Sequence, residues 1–271
     1  MKNPKRILAL LAVILLLAVC AMPMVFAFGK GENAGNLFRL SIGLVIAVPV
    51  LAYICMMAVK LWGNKREKDE GMIKNVIFDV GNVLLSYDWE DYLASFGFSQ
   101  EVYEKIADAT FRSQTWVQRD KGDFDEETYR REFVENAPEY EKEILEVIEG
   151  SWKCLSLKEY AVSWVKYLRS QGYHLYVLSN YCAYILEKTE KIMGFLPYMD
   201  GVVFSCREKQ IKPYPEIYNT LLDRYHLKSG ECVFLDDTLA NCTGAQDLGI
   251  RAIHFTSFEQ AVRELESIGV K

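Results

Sequence analysis

The chain has 271 residues, with 31 Lys and Arg against 37 Asp and Glu and a formal charge of −6. A hydrophobic content of 51% and a charged content of 25% exclude a disordered or collagen-like chain. The acidic balance also argues against nucleic acid as a partner. Residues 1–70 hold nine Lys or Arg and four Asp or Glu, a net of +5 that leaves −11 for residues 71–271.

Two long runs without a charged residue lie in the basic N-terminal part, at residues 7–29 and 40–59. A helix of about 20 apolar residues crosses a bilayer, so we predict transmembrane helices at about 7–28 and 40–61, forming a hairpin over residues 1–62. Lys and Arg precede the first run and follow the second. The positive-inside rule therefore predicts a protein anchored in the lipid bilayer of the cell membrane, with the rest of the chain facing the cytoplasm.

A cleaved signal peptide is the alternative for the first run, because a basic start, an apolar stretch and small residues near 25–27 fit that pattern. The second run would then be a single span with the same orientation. Two such runs argue against a buried helix of a soluble protein. The cysteines after residue 71 show no CxxC spacing, which argues against a zinc site or a disulfide framework.

After a polar linker at 63–71, the remaining chain has the pattern of an α/β domain. A buried strand is predicted at 72–78, and residues 89–170 carry apolar residues at helical spacing, which predicts a helical cap. Strands and helices then alternate to the C-terminus, as in a parallel sheet with right-handed crossovers. We predict an α/β fold in which a Rossmann-like parallel sheet (72–88 and 171–271) carries the cap and follows the two transmembrane helices.

Polar residues follow the predicted strands where each strand ends. In an open parallel sheet, ligands bind outside the carboxyl ends of the strands. The residues at those ends are Asp79, Ser179, Asn180, Lys212, Asp236 and Asp237. The order of strands therefore predicts that acids, a hydroxyl, an amide and a lysine converge on one edge of the sheet.

This set of residue types suits phosphate chemistry. Several carboxylates in one place repel each other unless a cation neutralises them. Oxygen ligands favour Mg²⁺, which commonly also binds substrate phosphate, and a lysine would balance the acids. A carboxylate such as Asp79 can act as a nucleophile, with the metal orienting the phosphate and stabilising the transition state.

Four segments carry a family resemblance: FDVGNVLLSYD at 78–88, VLSN at 177–180, KP at 212–213 and FLDDTLANCTGAQDLGI at 234–250. In this order and spacing they resemble the motifs of the haloacid dehalogenase superfamily. The first segment is similar to that of its small sugar-phosphate phosphatases with a DxGNV motif, the group that includes glucose-1-phosphate phosphatases. The resemblance covers about 72–270, including the helical cap.

The resemblance implies a role for each matching residue. Asp79 would be the nucleophile and a Mg²⁺ ligand, and Lys212 would position both the nucleophile and the phosphate. The phosphoryl group would be bound by Ser179 and Asn180. The other implied roles concern the metal, which would bind Asp237 directly, Asp236 through water and the main-chain carbonyl of Gly81, with Asn241 supporting the loop.

Gly81 is a departure from the family pattern. Most phosphatases of the superfamily have a second Asp two residues after the nucleophile, which acts as general acid and base. Loss of such a group lowers the rate by about 10²–10⁴-fold. Either the substrate has a good leaving group, such as an anomeric sugar phosphate or an acyl phosphate, or a cap side chain or water donates the proton, or the protein is a poor enzyme.

The predicted function is that of a Mg²⁺-dependent phosphatase acting on a small phosphorylated metabolite, with a sugar phosphate as the first choice. One alternative is a membrane-tethered phosphate-binding module without catalysis, which the glycine at 81 favours. The other is a metal-independent 2-haloacid dehalogenase, which also lacks the second Asp and attacks a halogenated carbon. The pair Asp236 and Asp237 argues for metal and phosphate instead.

Overall fold

The structure is a computed structural model, and it describes residues 71–271. The two transmembrane helices predicted at about 7–28 and 40–61, the signal-peptide alternative and almost all of the 63–71 linker lie outside the described residues. Within residues 71–271, no helix is both long enough and apolar enough to cross a bilayer.

A five-stranded sheet forms the centre of the described domain, in the order β5-β4-β1-β6-β7, and every pair of neighbours is parallel. This confirms the predicted α/β class with a parallel sheet. All four residues of the middle strand are buried, as expected of a strand covered by helices on both faces. The strands are β1 (Asn75–Phe78), β4 (His174–Ser179), β5 (Gly201–Phe204), β6 (Cys232–Asp236) and β7 (Arg251–His254).

Helices cover the two faces of this sheet, since successive side chains of a strand point to opposite faces. The helices after the cap are α6 (Ala161–Ser170), α7 (Ala183–Thr189), α8 (Ser205–Glu208), α9 (Pro215–Arg224), α10 (Leu239–Asp247) and α11 (Phe258–Ser267). Val76 and Phe78 belong to the larger apolar cluster, with residues of α6 and α11, whereas Ile77 belongs to a second cluster with residues of α9 and α10.

A two-stranded antiparallel ribbon connects the sheet domain to the cap. It pairs β2 (Leu85–Tyr87) with β3 (Leu155–Leu157), and residues 88–154 lie between these strands. This stretch holds five helices around an apolar centre. They are α1 (Trp89–Ala94), α2 (Gln100–Ala109), α3 (Gln114–Lys121), α4 (Glu126–Asn136) and α5 (Glu141–Glu149).

The structure differs from the elements predicted from the sequence. Apolar spacing predicts cap helices at 89–96, 100–110, 125–136 and 140–152. Helix α3 lies between the second and the third of these and is not predicted, because its buried residues include Thr115 and Arg119 and leave little apolar periodicity. Helix α6 was placed in the cap at 89–170, yet it packs on the central sheet, where the Trp164 ring lies 5.2 Å from the Phe78 ring, edge to face. Its buried apolar side chains cover a sheet face rather than cap helices.

Candidate active site

The register of the sheet brings the predicted acids together. Phe78 of β1 pairs with Leu235 of β6, so the residues that follow them, Asp79 and Asp236, meet at the carboxyl edge of the sheet. Asp237 adds a third carboxylate. One oxygen from each of these three groups lies within 4.8 Å of the others.

Lys212 bridges two of these acids. Its Nζ lies 2.6 Å from Asp236 Oδ2 and 2.8 Å from Asp79 Oδ1, and its side chain is 1% exposed. Burial lowers the pKa of Lys212 while Asp236 and Asp79 raise it, and the net direction is upward. The lysine is therefore a fixed cation between Asp79 and Asp236.

Asp236 is held by donors on several sides. Besides Lys212, the backbone N–H of Thr238 donates to Oδ1 at 2.8 Å, and Asn241 Nδ2 lies 3.0 and 3.1 Å from the two carboxylate oxygens. Asp236 has no exposed surface. The carboxylate is thus fixed behind the wall of the site, and Asn241 supports it directly.

Asp79 has fewer hydrogen-bond donors around its carboxylate than Asp236. Its Oδ1 is buried, and no donor of residues 71–271 reaches it with hydrogen-bond geometry, although Lys212 Nζ is at ion-pair distance. Burial raises the pKa of Asp79, the carboxylates of Asp236 and Asp237 add to the rise, and Lys212 opposes it. Three carboxylates beside one lysine leave room for a further positive charge.

These residues fit a magnesium ion. The donor atoms are carboxylate oxygens, the ligand type that Mg²⁺ prefers, and Asp79 and Asp237 offer oxygens within 4.8 Å of each other. Gly81, the predicted main-chain ligand, lines the same cleft. A cation at this position would favour the ionised form of Asp79, because opposite charges stabilise a carboxylate.

Asn82 belongs to the site and was given no role from the sequence. Its Nδ2 donates to Asp237 Oδ2 at 2.8 Å, and its backbone has φ 55°. Asparagine is one of the few residues with a side chain that enter this left-handed region readily. The asparagine after a glycine at the end of a strand was the signal that could have marked this turn.

Asn180 lines the cleft, and its amide is bound to the lysine segment. Its Oδ1 accepts from the Lys212 backbone N–H at 2.8 Å, and its Nδ2 donates to the Lys212 carbonyl at 3.1 Å. Ser179 is 1% exposed and lies behind the cleft wall. The sheet therefore brings both residues to the predicted edge, where the Asn180 side chain fixes the backbone that carries Lys212.

The cleft has a volume of about 410 Å³, with the acids on the sheet side and aromatic side chains on the cap side. The Trp89 and Phe111 rings stack at 5.1 Å, and Phe111 and Trp116 approach to 4.8 Å. Tyr87 lies 6.4 Å from Trp116. The cap side of the cleft therefore presents aromatic side chains to the acids.

Asp120 is the second residue missed by the sequence analysis. It lies at the end of α3, lines the cleft and is half-buried. Burial raises its pKa to about 7, with Asp79 contributing to the rise, while Arg119, Lys212 and the backbone N–H of Cys182 oppose it. Since α3 carries no clear apolar pattern, nothing in the sequence placed this carboxyl opposite the strand ends.

The comparison with known families agrees with this geometry. A family model described as haloacid dehalogenase-like hydrolase matches residues 73–249, well over half of the chain. The chain belongs to the haloacid dehalogenase-like hydrolases, which confirms both the resemblance seen in the four motifs and the predicted hydrolase class.

Individual relatives include proteins named as phosphatases. The chain is 25% identical over 195 residues to a sesquiterpene phosphatase of Aspergillus oryzae, covering 72% of this chain and 96% of that one. It is 24% identical over 197 residues to the D-ribitol-5-phosphate phosphatase of Bacteroides thetaiotaomicron, covering 66% and 89%. Two longer mouse proteins are matched over only 13% and 19% of their own lengths.

A solved structure resembles the chain at the level of fold. It is a haloacid dehalogenase family enzyme from Bacteroides thetaiotaomicron in complex with magnesium and inorganic phosphate. The identity is 25% and the TM-score 0.55, over 69% of this chain and 96% of that chain.

Proposed function

We propose that this protein is a Mg²⁺-dependent phosphatase that hydrolyses a small phosphorylated metabolite through an aspartyl-phosphate on Asp79. The observation that carries the proposal is the placement of Asp79, a carboxylate that lines the cleft, pairs with the buried Lys212 at 2.8 Å and lies in one cluster with Asp236 and Asp237. A carboxylate in a cleft beside a fixed cation is placed to attack a bound phosphate. The phosphatase names of two relatives and the magnesium and phosphate in a related structure support the choice of reaction.

Each residue of the site takes a role that its contacts support. Lys212 neutralises Asp79 and Asp236 and faces the phosphate. Mg²⁺, when bound, would neutralise phosphate charge, and Asp79, Asp237 and the Gly81 carbonyl would hold it, with Asp236 acting through water. Asn82 and Asn241 orient Asp237 and Asp236. Asn180 would line the phosphoryl position, with Ser179 behind it in the wall of the cleft.

The substrate has two candidate classes. A sugar phosphate is supported by the DxGNV motif and by the relative named for D-ribitol 5-phosphate. A phosphate ester of an apolar or aromatic alcohol is the second candidate, because Trp89, Phe111 and Trp116 form the wall opposite the acids. Aromatic faces pack well against either apolar groups or the C–H face of a sugar ring.

The test is phosphate release by the full-length protein from sugar-1-phosphates, sugar-6-phosphates, aryl phosphates and prenyl phosphates, each with and without Mg²⁺. We expect Mg²⁺-dependent release from at least one class. Asp79→Asn should abolish it, because the amide is not a nucleophile, and Asp108→Asn, an exposed acid of the cap, is the matched control. Equal release by wild type and Asp79→Asn would overturn the proposal.

The same assay separates the alternatives. A phosphate-binding module without catalysis would show a BeF₃⁻ or phosphate-induced rise in Tm but no turnover on any ester. A dehalogenase would release chloride from 2-chloropropionate without Mg²⁺. The cluster of three carboxylates, two of them paired with Lys212, supports metal-dependent phosphate chemistry over the dehalogenase.

For the location of the enzyme, we propose a membrane anchor formed by residues 1–62, with the hydrolase domain in the cytoplasm. The two charge-free runs and their basic flanks support this placement.

A further inference from the structure

The proposed reaction releases an alcohol whose oxygen must gain a proton, and position 81 supplies no acid. Gly81 lies two residues after Asp79 on the wall of the cleft. A Cβ built on Gly81 meets no atom within 4 Å, so the space beside it is open. A side chain that donates a proton into this space has to come from another part of the chain.

Asp120 enters the same cleft from the cap. Three carboxylates are among the described residues that line the cleft: Asp79, Asp237 and Asp120. Asp79 is the proposed nucleophile, and Asp237 accepts from Asn82 within the proposed metal set. Asp120 is the acid on the cap side, and it is neither the proposed nucleophile nor a proposed metal ligand.

Contacts across the cleft fix the end of α3, and with it Asp120, to the sheet domain. Ser205 Oγ donates to the Asp120 carbonyl, and the backbone N–H of Cys182 donates to its carboxylate. The residue that ends this helix also lies close to the sheet domain. Gly122 has φ 74°, and a Cβ at this position would lie 3.0 Å from the Cys206 Cα. The carboxyl group of a cap helix is thus positioned by the residues that follow β4 and β5.

The surroundings of Asp120 keep a proton on it near neutral pH. Burial raises its pKa to about 7 against the opposing charges of Arg119 and Lys212. The titratable groups that face it are Arg119 on its own helix, Asp79 after β1, Tyr87 of β2, Tyr181 and Cys182 before α7, Cys206 of α8 and Lys212.

We propose that Asp120 is the general acid and base of the reaction, taking the place of the carboxylate that position 81 lacks; this rests on the proposed phosphatase function. In the first step an Asp79 oxygen bonds to phosphorus, the bond from phosphorus to the leaving oxygen breaks, and the Asp120 carboxyl gives its proton to that oxygen. In the second step Asp120 takes a proton from a water molecule, the water oxygen bonds to phosphorus, and the bond from phosphorus to the Asp79 oxygen breaks. Hydrogen phosphate leaves, and Asp79 is again a carboxylate.

The test compares two esters of different leaving groups with the full-length protein. We expect Asp120→Asn to lower kcat/KM about 10²-fold or more for the best alkyl or sugar phosphate. The loss should be less than about tenfold for p-nitrophenyl phosphate, whose leaving group needs little protonation. Asp123→Asn, an exposed acid on the same segment, is the control and should affect neither.

Two further measurements distinguish catalysis from a structural role. With wild type, kcat for the alkyl ester should fall as the pH rises above about 7, and Asp120→Asn should lose this limb. Gly81→Asp combined with Asp120→Asn should regain at least about tenfold, because position 81 has room for the acid.

Equal losses on both esters, or unchanged activity on both, would overturn the role of Asp120. Such a result would leave the proposed phosphatase intact as long as Asp79→Asn is inactive. A wild type that releases no phosphate from any ester would refute the phosphatase itself.

Discussion

At the scale of single residues, the site places buried carboxylates next to a buried lysine. Asp79 and Asp236 both pair with Lys212, but their other contacts differ. Asp236 accepts hydrogen bonds from Lys212, Thr238 and Asn241, whereas Asp79 pairs with Lys212 and lines the cleft. Asp236 therefore serves as a support, and Asp79 is placed to react.

Lys212→Met should destabilise the protein as well as inactivate it. Removal of one partner from a buried ion pair leaves an uncompensated charge, which costs about 3–5 kcal/mol. We expect a lower free energy of unfolding in a denaturant titration, with a larger loss at pH 8 than at pH 5, because Asp79 can take up a proton at the lower pH. Lys228→Met, at a lysine with an 81% exposed side chain, should change the free energy by less than about 1 kcal/mol. Equal stability of the two variants would contradict the buried pair.

Asp120→Asn should change the pH dependence of Tm. The folded state raises the pKa of Asp120 from 3.8 to about 7, so it binds more protons than the unfolded chain between these values. Wild type therefore loses stability as the pH rises through this window. The Tm difference, variant minus wild type, should be more positive at pH 8 than at pH 4, while Asp123→Asn shows no such change. A pH-independent difference would show that Asp120 titrates normally.

At the scale of elements, the position of α3 decides what the cap contributes. Its first turn is capped by Ser113, whose side chain accepts from the Trp116 N–H, and Arg119 lies among aromatic rings near its end. The guanidinium donates to Glu126 and faces Trp116 at 5.4 Å and Tyr184 at 5.3 Å. A charged residue thus serves as the packing core of this helix, which is why its sequence looks polar.

Gly122→Ala tests the attachment of α3 to the sheet domain. The left-handed φ alone costs about 1 kcal/mol for an alanine, and here the added Cβ also meets Cys206 at 3.0–3.1 Å. Gly97→Ala is the matched control, since Gly97 has φ 70° and open space around its Cβ. Backbone strain should lower the free energy of unfolding of both variants by a similar amount. Only Gly122→Ala should also lower kcat for an alkyl phosphate, because it displaces Asp120. Equal activity of the two variants would show that the contact does not position Asp120.

At the scale of the whole molecule, the net charge of −6 is the sum of two unlike parts. Residues 1–70 carry +5 and residues 71–271 carry −11. The acidic excess of the hydrolase domain does not mark its substrate, because the acids at the cleft sit with Lys212 and the proposed Mg²⁺ site. The basic segment has the pattern of a chain that enters a bilayer.

Fractionation of cells that express the full chain tests the anchor. The two charge-free runs predict that the protein stays in the membrane pellet after extraction at alkaline pH, since two apolar helices are not released by loss of surface charge. Protease added to the outside of intact cells should leave residues 71–271 intact. Release into the soluble fraction would refute the anchor without affecting the proposed chemistry.

The sequence by itself determined the class of fold, the order of the motifs and the residues at the strand ends. These follow from local signals: the buried strand before Asp79, the alternation of strands and helices, and the acids after β6. Asp79, Lys212, Asp236 and Asp237 could be assigned to one edge because parallel strands share their carboxyl ends.

Only the tertiary structure decided how that edge is completed. The bonds between Asn180 and Lys212 and between Asn82 and Asp237 join residues 32 and 155 positions apart, and no local pattern specifies such pairs. Helix α3 escaped prediction because its buried face includes Arg119, so apolar periodicity was absent. Asp120 was missed for the same reason. It reaches the cleft because Ser205 and Cys206 hold the end of that helix against the sheet domain.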